Sequence, residues 1–244
     1  MKKKKIFSLT TSRSDYGLLR QLYLELKKSK YFNFTVLASG MHLNKNYGLS
    51  IREVEKDNFK LKIIKQKNVK SDKNSILKSI SNDISNYSKL LIEERPDFFI
   101  VLGDRFEILG AVISCYFNNI PIIHLHGGEK TEGSYDDITR HVVTKYSTYH
   151  LVSHLQYKKR VIQLGENPNN VFVTGPLAID SIKNTKFRTK TYLEKCYNFK
   201  FRAKNILVTY HPITNDPIQT KKEIISLISF LKKQKEIFII FTFP

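Results

Sequence analysis

Short apolar runs alternate with longer stretches of helical periodicity along most of this chain, and this alternation limits the possible fold more than any other feature. The run Phe98–Leu102 (FFIVL) is apolar at every position and has the length of a strand, which is typical of a strand buried on both faces. The preceding stretch, 74–94, carries its apolar residues at a helical spacing. The pattern predicts an α/β fold, with a parallel sheet covered by helices on both faces. Further candidate strands lie at 6–10, 34–38, 61–65, 121–125, 149–152 and 171–174.

The alternation weakens after the segment VTGPLAID (173–180) and begins again near residue 205. Lys, Arg and Thr are frequent in residues 183–204, a composition typical of a linker. Strand-like stretches at 206–210 and 236–243 then flank a helical stretch at 221–233. Two strands and one helix cannot bury both faces of a sheet. We therefore predict a Rossmann-like parallel-sheet domain over residues 1–176, a hinge or linker over 177–204, and the beginning of a second Rossmann-like domain over 205–244.

The formal net charge is +19, from 41 Lys and Arg against 22 Asp and Glu. The basic residues are mostly Lys, are spread along the chain and often neighbour Asn. This pattern indicates a compositional bias, so we expect no nucleic-acid partner. A positive field would still attract an anionic small substrate.

Targeting signals and cysteine chemistry are not evident in the sequence. The N-terminal MKKKK is followed by an apolar stretch, Ile6–Leu9, that is too short for a signal peptide, and no apolar run is long enough to span a bilayer. Cys115 and Cys196 have neither metal-binding nor redox spacing, and the apolar helical surroundings of Cys115 are typical of a core position. We expect a cytoplasmic protein without a membrane partner.

Polar segments follow the carboxyl ends of the candidate strands, where ligands bind in parallel α/β sheets. Asp104 and Arg105 come soon after the strand Phe98–Leu102, at the start of a helix, where an acidic side chain or an anion is favoured. We expect these two residues to face a ligand. The other polar strand ends are TTSRSDYG, ASGMHLNKNYG, HLHGGEKTEGSYDD and, in the second unit, TYHPIT.

Several segments together resemble one enzyme family, and they follow the order of that family over essentially the whole chain. They are SRSDYGLL, SGMHLNKNYG, VLGDRFEI, HLHGGEKTEGSYDDITRHVVTK, YKKRVIQLGE and YHPIT. They resemble the hydrolysing UDP-N-acetylglucosamine 2-epimerases, in particular the bacterial ones of the sialic-acid and legionaminic-acid pathways. The resemblance implies two Rossmann-like domains in the glycosyltransferase-B arrangement, with the active site in the cleft between them. It also implies no nicotinamide or metal cofactor, in agreement with the missing G-x-G-x-x-G fingerprint, and a homo-oligomer for the full-length protein.

The reaction implied by the resemblance converts UDP-N-acetylglucosamine to free N-acetylmannosamine and UDP. UDP is eliminated across C1 and C2 of the sugar, and water then adds to the resulting 2-acetamidoglucal with inversion at C2. The C2 proton is weakly acidic, so a well-placed base is needed. The leaving diphosphate gains charge, so cationic or hydrogen-bonding groups must meet it. The expected partner is a nucleotide sugar, but the residues leave open UDP or GDP, and N-acetylglucosamine or a diacetylated 6-deoxy sugar.

The resemblance assigns roles to residues at the strand ends. His126 stands where other branches of the family carry Glu, and His211 and Asp104 are expected to face one cleft. The acid–base and leaving-group residues implied are Asp104, Glu129, Asp136, His126 and His211. The substrate- or nucleotide-binding residues implied are Arg13, Asp15, His42, Arg105, Arg140 and His141, and no metal ligands are implied.

Each assignment competes with a structural role in which the side chain only supports the fold. His126 is equally compatible with a structural place at a strand end, and Arg13 with a surface position. The fold-supporting roles open to the remaining residues are a helix cap for Asp104 and Asp137, an ion pair for Arg105, a lock on the GGE…DD loop for Arg140 and His141, and packing within the sheet for His124.

The resemblance also implies that family members continue beyond the strand matching FIIFTFP, with a loop of the NADTGS type and most of the nucleotide-binding domain. We therefore expect a shortened chain. Three functions are then possible: the epimerase activity, a sugar-side binding unit without turnover, and a related glycosyltransferase. The GGE…DD…RH block argues against the glycosyltransferase.

Overall fold

The computed structural model describes residues 2–45, 48–65, 72–131, 134–211 and 217–242. These residues form two compact units. The first unit is Met1–Thr131 with Tyr135–Asn184, and the second is Thr185–Pro244 with Glu132–Ser134.

The first unit is built from strands and helices that alternate along the chain. Its strands are β1 (Lys4–Thr10), β2 (Phe32–Ala38), β3 (Leu61–Ile63), β4 (Phe98–Leu102), β5 (Ile122–Leu125), β6 (Tyr149–Val152) and β7 (Val171–Val173). Its helices are α1 (Arg13–Lys28), α2 (Ile51–Lys56), α3 (Lys73–Glu94), α4 (Leu109–Phe117), α5 (Tyr135–Tyr146), α6 (Leu155–Gln163) and α7 (Leu177–Asn184).

The seven strands form one parallel sheet in the order β3-β2-β1-β4-β5-β6-β7. The order reverses between β1 and β4, and open α/β sheets bind ligands at the carboxyl ends of the strands at such a point. The predicted α/β fold with a Rossmann-like parallel sheet is therefore confirmed.

Two apolar cores cover the two faces of this sheet. Side chains of β1 alternate between them, with Phe7 and Leu9 in one core and Ile6 in the other. Helices α3 and α4 contribute to the first core, and α1 and α2 to the second. Cys115 is completely buried in the first core, as predicted.

Helix α7 lies in the stretch predicted as a linker, yet it belongs to the first unit. Leu177 packs against the core that contains Ile6, and the Ser181 hydroxyl donates a 3.1 Å hydrogen bond to the carbonyl of Gly17 in α1. The first unit extends to Asn184. The sequence did not reveal this helix, because its short amphipathic stretch LAIDSIKN is followed directly by the Lys- and Thr-rich residues that indicated a linker.

The second unit contains α8 (Lys190–Tyr197), β8 (Lys204–Thr209), α9 (Pro217–Lys232) and β9 (Ile237–Thr242). Strands β8 and β9 pair in parallel, in the βαβ arrangement that begins a Rossmann-like domain. Phe199 packs against Phe201 and Phe238, with ring centroids 4.9 Å and 5.1 Å away. Leu207 is 68% exposed.

Within the described ranges, no helix combines the length and the apolar character that crossing a membrane requires.

Glu94, at the end of α3, accepts hydrogen bonds from Lys5 of β1 and Lys62 of β3. The two ammonium groups lower the pKa of this carboxyl from 4.5 to about 2, the Lys5 hydrogen bond contributing most. The side chain is 24% exposed, so solvent weakens but does not remove the interaction.

We expect Glu94→Gln to lower the free energy of unfolding by about 1–2 kcal/mol at pH 7. Because the folded-state pKa is depressed, this stabilisation is complete above pH 4.5 and is lost as the pH falls towards about 2. Urea unfolding of the wild type and of Glu94→Gln between pH 7 and pH 3 measures the difference in their free energies of unfolding. This difference should become smaller below about pH 4.5. A difference that stays constant over this range would contradict the ion-pair explanation.

Candidate active site

Polar side chains from separate loops meet at the carboxyl edge of the first unit's sheet. The loops after β1, β4 and β5 supply them, and β1 and β4 flank the point where the strand order reverses. The charges of Arg140, Asp136, Arg105 and Asp15 all act on the carboxyl of Asp104. Residues predicted from three separate parts of the sequence therefore form one electrostatic cluster around Asp104.

Asp104 is held by Arg140 of α5, whose Nη2 donates a hydrogen bond to Asp104 Oδ2. Arg140 Nη1 also donates to Thr131 Oγ1 at 3.2 Å. The Arg140 side chain is 7% exposed and that of Asp104 is 20% exposed. Burial raises the pKa of Asp104, although Arg140 opposes the effect. A fixed, partly dehydrated carboxyl with a raised pKa is suited to acid–base chemistry, and the pairing favours the locking role for Arg140.

Arg105 forms an ion pair with Glu107, which is the fold-supporting role that the sequence left open for it. Its Nη2 lies 2.5 Å from Glu107 Oε1 and 3.0 Å from Met41 Sδ. The Arg105 side chain is still 30% exposed, so its charge remains available at the edge of the cluster. Arg105 can therefore both hold its loop and attract an anionic group.

Glu129 and His126 form a second pair in the loop after β5. His126 Nδ1 lies 3.1 Å from Glu129 Oε1, which also accepts a 2.8 Å hydrogen bond from the Ser153 hydroxyl. The amide of Leu177 donates to His126 Nε2 at 3.4 Å. In this arrangement Nδ1 carries the proton and Nε2 is the acceptor nitrogen.

The environment of Glu129 favours its ionised form. Burial raises the pKa of this carboxyl, but the hydrogen bonds from His126 and Ser153 outweigh burial, so the pKa lies below its ordinary value. An ionised carboxylate on Nδ1 fixes the orientation and the tautomer of the imidazole. His126 has a left-handed backbone with φ of 62°, a conformation that few non-glycine residues adopt and that clusters at functional sites.

Gly128, the second of the two glycines before Glu129, is required by the close approach of α6. Gly128 has φ of +77°, and a Cβ there would lie 2.5 Å from the carbonyl oxygen of Tyr157. Arg160 Nη1 donates a hydrogen bond to the carbonyl of Gly128. Neither Arg160 nor Ser153 was predicted as a site residue, although Arg160 lies in the segment YKKRVIQLGE that carries part of the family resemblance.

His42 is completely buried and has no exposed surface for a ligand. Its ring nitrogens lie 2.9 Å from Thr10 Oγ1 and 2.8 Å from Ser50 Oγ. Burial lowers the pKa of His42 to about 4, with Asp15 opposing and Arg105 adding to the effect. The predicted substrate contact is thus replaced by a neutral side chain that joins the end of β1 to the loop after β2.

The first turn of α1 carries Asp15 and Arg13. Thr11 Oγ1 donates to Asp15 Oδ2 at 2.6 Å, and the Asp15 amide donates to the helix-capping Ser12 hydroxyl at 3.3 Å. Arg13 is 77% exposed, with Nε 3.3 Å from Glu53 Oε1. Asp15 therefore helps to begin the helix, while the guanidinium of Arg13 remains accessible.

The start of α5 positions Asp136, Asp137 and His141. Asp137 Oδ1 accepts a 2.9 Å hydrogen bond from the Thr131 amide, and Asp137 Oδ2 lies 3.7 Å from His141 Nε2. His141 thus supports the loop, and Asp137 ties the loop to the helix. Asp136 is half-buried and acts electrostatically on Asp104. Residues 132 and 133 of this loop lie outside the described residues.

His211 follows β8 in the second unit and is exposed. The next residues of the segment YHPIT, from 212 onward, lie outside the described residues. That His211 and Asp104 face one cleft stays a prediction. Within the part of the chain that the structure describes, no three His, Cys, Asp or Glu side chains are grouped so as to hold a metal ion.

Comparison with known proteins identifies the family. The model of the UDP-N-acetylglucosamine 2-epimerase family matches residues 24–244, which include all of the predicted site residues except Arg13 and Asp15. The chain belongs to this family. The recognition made from the sequence segments is confirmed.

Two relatives of this epimerase family show how much of the protein is matched. The GDP/UDP-N,N'-diacetylbacillosamine 2-epimerase (hydrolyzing) of Campylobacter jejuni is 40% identical over 99% of this chain, which spans 63% of that relative. Polysialic acid biosynthesis protein P7 of Escherichia coli is 37% identical over 94% of this chain, which spans 59% of that relative. The chain therefore spans about three fifths of the length of the curated relatives that it matches.

A solved epimerase structure has the same fold. The UDP-GlcNAc 2-epimerase of Methanocaldococcus jannaschii, in complex with UDP-GlcNAc and UDP, matches with a TM-score of 0.80 and 19% identity. The match covers 98% of this chain and 65% of the other. At this identity the likeness supports the fold and says nothing about individual residues.

Proposed function

We propose that this chain provides the acid–base residues of a hydrolysing 2-epimerase that acts on a nucleotide-activated 2-acetamido sugar. The products are the free 2-epimer and a nucleoside diphosphate. The observation that carries the proposal is the position of Arg140, whose charge acts on both Asp104 and Glu129. Two proton-transfer groups, the Asp104 carboxyl and the His126–Glu129 pair, are thereby gathered at the ligand-binding edge of one sheet.

The reaction requires two proton-transfer groups, since inversion removes a proton from one face of C2 and delivers one to the other. In the first step a base takes the C2 proton, the electron pair forms the C1–C2 double bond, and the nucleoside diphosphate leaves with the C1–O electrons. In the second step an acid protonates C2 while water adds through its oxygen to C1, and the proton that the water loses passes to a basic group of the site. We assign these transfers to Asp104 and His126, which are held on neighbouring strands by separate partners, and we place Asp136 as a supporting acid beside Asp104.

The exposed guanidinium groups of Arg13 and Arg105 are proposed to meet the diphosphate as it leaves. Both lie at the carboxyl edge of the sheet, after β1 and β4 respectively, and both retain exposed surface. Cationic groups at this place stabilise the charge that develops on the leaving group. His211 is assigned to the same task on the resemblance alone.

The first proposed substrate is UDP-N-acetylglucosamine, which gives N-acetylmannosamine for a sialic-type acid. A UDP- or GDP-linked N,N'-diacetylbacillosamine is the second candidate, because the Campylobacter jejuni relative is named for it. To test both substrates, the matching part of the Campylobacter jejuni relative is replaced by this chain, which gives a graft of full family length. The graft is then incubated with each nucleotide sugar and assayed for release of the free 2-epimer. Release of the free 2-epimer from either substrate supports the proposal, and a folded graft that releases it from neither contradicts it.

In this graft we expect His126→Gln to lower the turnover number by roughly 100-fold, since a proton-transfer group is lost. Glu129→Gln is expected to lower it by a similar or smaller factor, because Glu129 acts through His126. The double variant should be no slower than His126→Gln, which a double-mutant cycle measures as strong coupling. Glu25→Gln, an exposed carboxylate that pairs with Lys28, is the matched control. Additive losses would show that Glu129 works independently of His126.

A further inference from the structure

His124 lies on β5, is completely buried, and was expected only to pack within the sheet. Its Nε2 is 2.8 Å from the carbonyl oxygen of Gly103, and its Nδ1 is 3.2 Å from Thr144 Oγ1. A carbonyl only accepts hydrogen bonds, so Nε2 carries the proton, and Nδ1 of the neutral ring accepts from the Thr144 hydroxyl. Burial, the largest of several causes, lowers the pKa of His124 to about 3, so the ring is neutral at pH 7.

The two hydrogen bonds of His124 lead to the same carboxylate by separate routes. Gly103 directly precedes Asp104 in the chain. Thr144 lies one helical turn after Arg140, and its single hydroxyl proton is shared between His124 Nδ1 at 3.2 Å and the Arg140 carbonyl oxygen at 2.9 Å. Arg140 in turn donates to the Asp104 carboxylate. The backbone on one side of Asp104 and its ion-pair partner are thus joined through one imidazole ring.

The backbone of Gly103 itself is held by hydrogen bonds to groups of β5. Gly103 has φ of +76°, with open space where a Cβ would be. Its amide donates to the Leu125 carbonyl at 3.0 Å, and its carbonyl faces His124. The orientation of the peptide that leads into Asp104 therefore depends on groups of β5.

We propose that His124 is a positioning residue, which holds the Asp104 carboxylate against Arg140 by bridging Gly103 and Thr144. The effect of His124 on catalysis rests on the proposed function. Its effect on the pKa of Asp104 does not, and the experiment below measures that pKa without any turnover.

A buried histidine that merely fills the sheet is the competing explanation, and the fold offers a matched control. His150 of β6 is the register partner of His124 and is equally buried. Its Nε2 lies 3.2 Å from Glu166 Oε2, far along the chain from the loop that carries Asp104. If packing alone matters, replacing either histidine should have the same effect on Asp104.

The test is an NMR titration of the Asp104 carboxyl in the 244-residue chain and its variants. The amide nitrogen of Gln stands near the place of imidazole Nε2, whereas that of Asn stands near Nδ1. His124→Gln therefore keeps the donor to Gly103, and His124→Asn loses it. We expect His124→Asn to raise the pKa of Asp104, because the weakened Arg140 pairing no longer opposes burial. His124→Gln should restore most of the wild-type value, and His150→Gln should leave it unchanged.

Thr144→Val provides an independent arm, because it removes the hydroxyl and keeps the side-chain shape. It is expected to raise the pKa of Asp104 in the same direction as His124→Asn, and it carries the test if His124→Asn does not fold. The proposal is overturned if Thr144→Val and the folded His124 variants leave Asp104 unchanged. It is equally overturned if His150→Gln raises the pKa as much as His124→Asn does, or if His124→Gln gives no rescue.

Discussion

Asp104→Asn is expected to lower the turnover number of the grafted epimerase by about 10²–10⁴-fold, the range that a general acid or base contributes. The Asn side chain has the shape of Asp, and its carbonyl oxygen can still accept from Arg140, so the loop should remain in place. It cannot take up or release a proton, which is the function assigned to this position. Turnover with saturating substrate, together with the circular dichroism spectrum, measures the two effects separately.

Asp97→Asn is the matched control for Asp104→Asn. Asp97 precedes β4, binds Lys4 at 2.9 Å and lies at the opposite end of that strand from Asp104. The Asp97→Asn variant should keep a turnover number within about twofold of the wild-type value, because surface substitutions away from a site usually have small effects. An Asp104→Asn enzyme that keeps more than about a tenth of the wild-type turnover would remove Asp104 from the mechanism.

Gly128→Ala is expected to have the largest effect on stability among single methyl additions in the site, lowering the free energy of unfolding by about 3 kcal/mol. Two costs combine at this position. The left-handed backbone disfavours any Cβ, and the added atom would lie 2.5 Å from a backbone oxygen of α6, which cannot move as a flexible side chain would. Urea unfolding of the 244-residue chain measures the loss.

Gly175→Ala separates these two costs. Gly175 has φ of +83°, close to that of Gly128, but a Cβ there meets nothing within 4 Å. This variant should lose only about 1 kcal/mol from backbone strain. Equal losses for the two variants would show that the contact between the double-glycine loop and α6 is not tight.

The alternation of apolar runs and helical stretches was sufficient to predict the parallel sheet, because continuous apolarity at FFIVL requires cover on both faces. Element bounds are less determined by local pattern. Helix α5 begins at Tyr135, before its first apolar periodic residue, Ile138. Helix α7 depends in part on a contact with α1, in which Ser181 and Gly17 are 164 positions apart.

The sequence was sufficient to predict which candidate side chains lie at the carboxyl edge of the sheet, but it did not predict the contacts among them. Strand ends put Asp104 and Glu129 at one edge of the sheet, and a helix start explains Asp15. The hydrogen bond of Arg140 to Asp104 and that of Ser153 to Glu129 join residues 36 and 24 positions apart, which no local spacing encodes. His42 shows the reverse case, since its polar ring suggested a ligand contact and its surroundings bury it completely.

The most direct test of the central claim, that this sheet edge performs proton chemistry at C2 of a nucleotide sugar, is a reaction in deuterium oxide. The graft is incubated with UDP-N-acetylglucosamine and, separately, with the diacetylbacillosamine nucleotide, and the released sugar is examined by NMR and mass spectrometry. We predict a free 2-epimer that carries one deuterium at C2, with one nucleoside diphosphate released per sugar, and loss of both in the Asp104→Asn graft. A released sugar that keeps its original C2 proton, or unchanged deuterium incorporation in the Asp104→Asn graft, would contradict the claim.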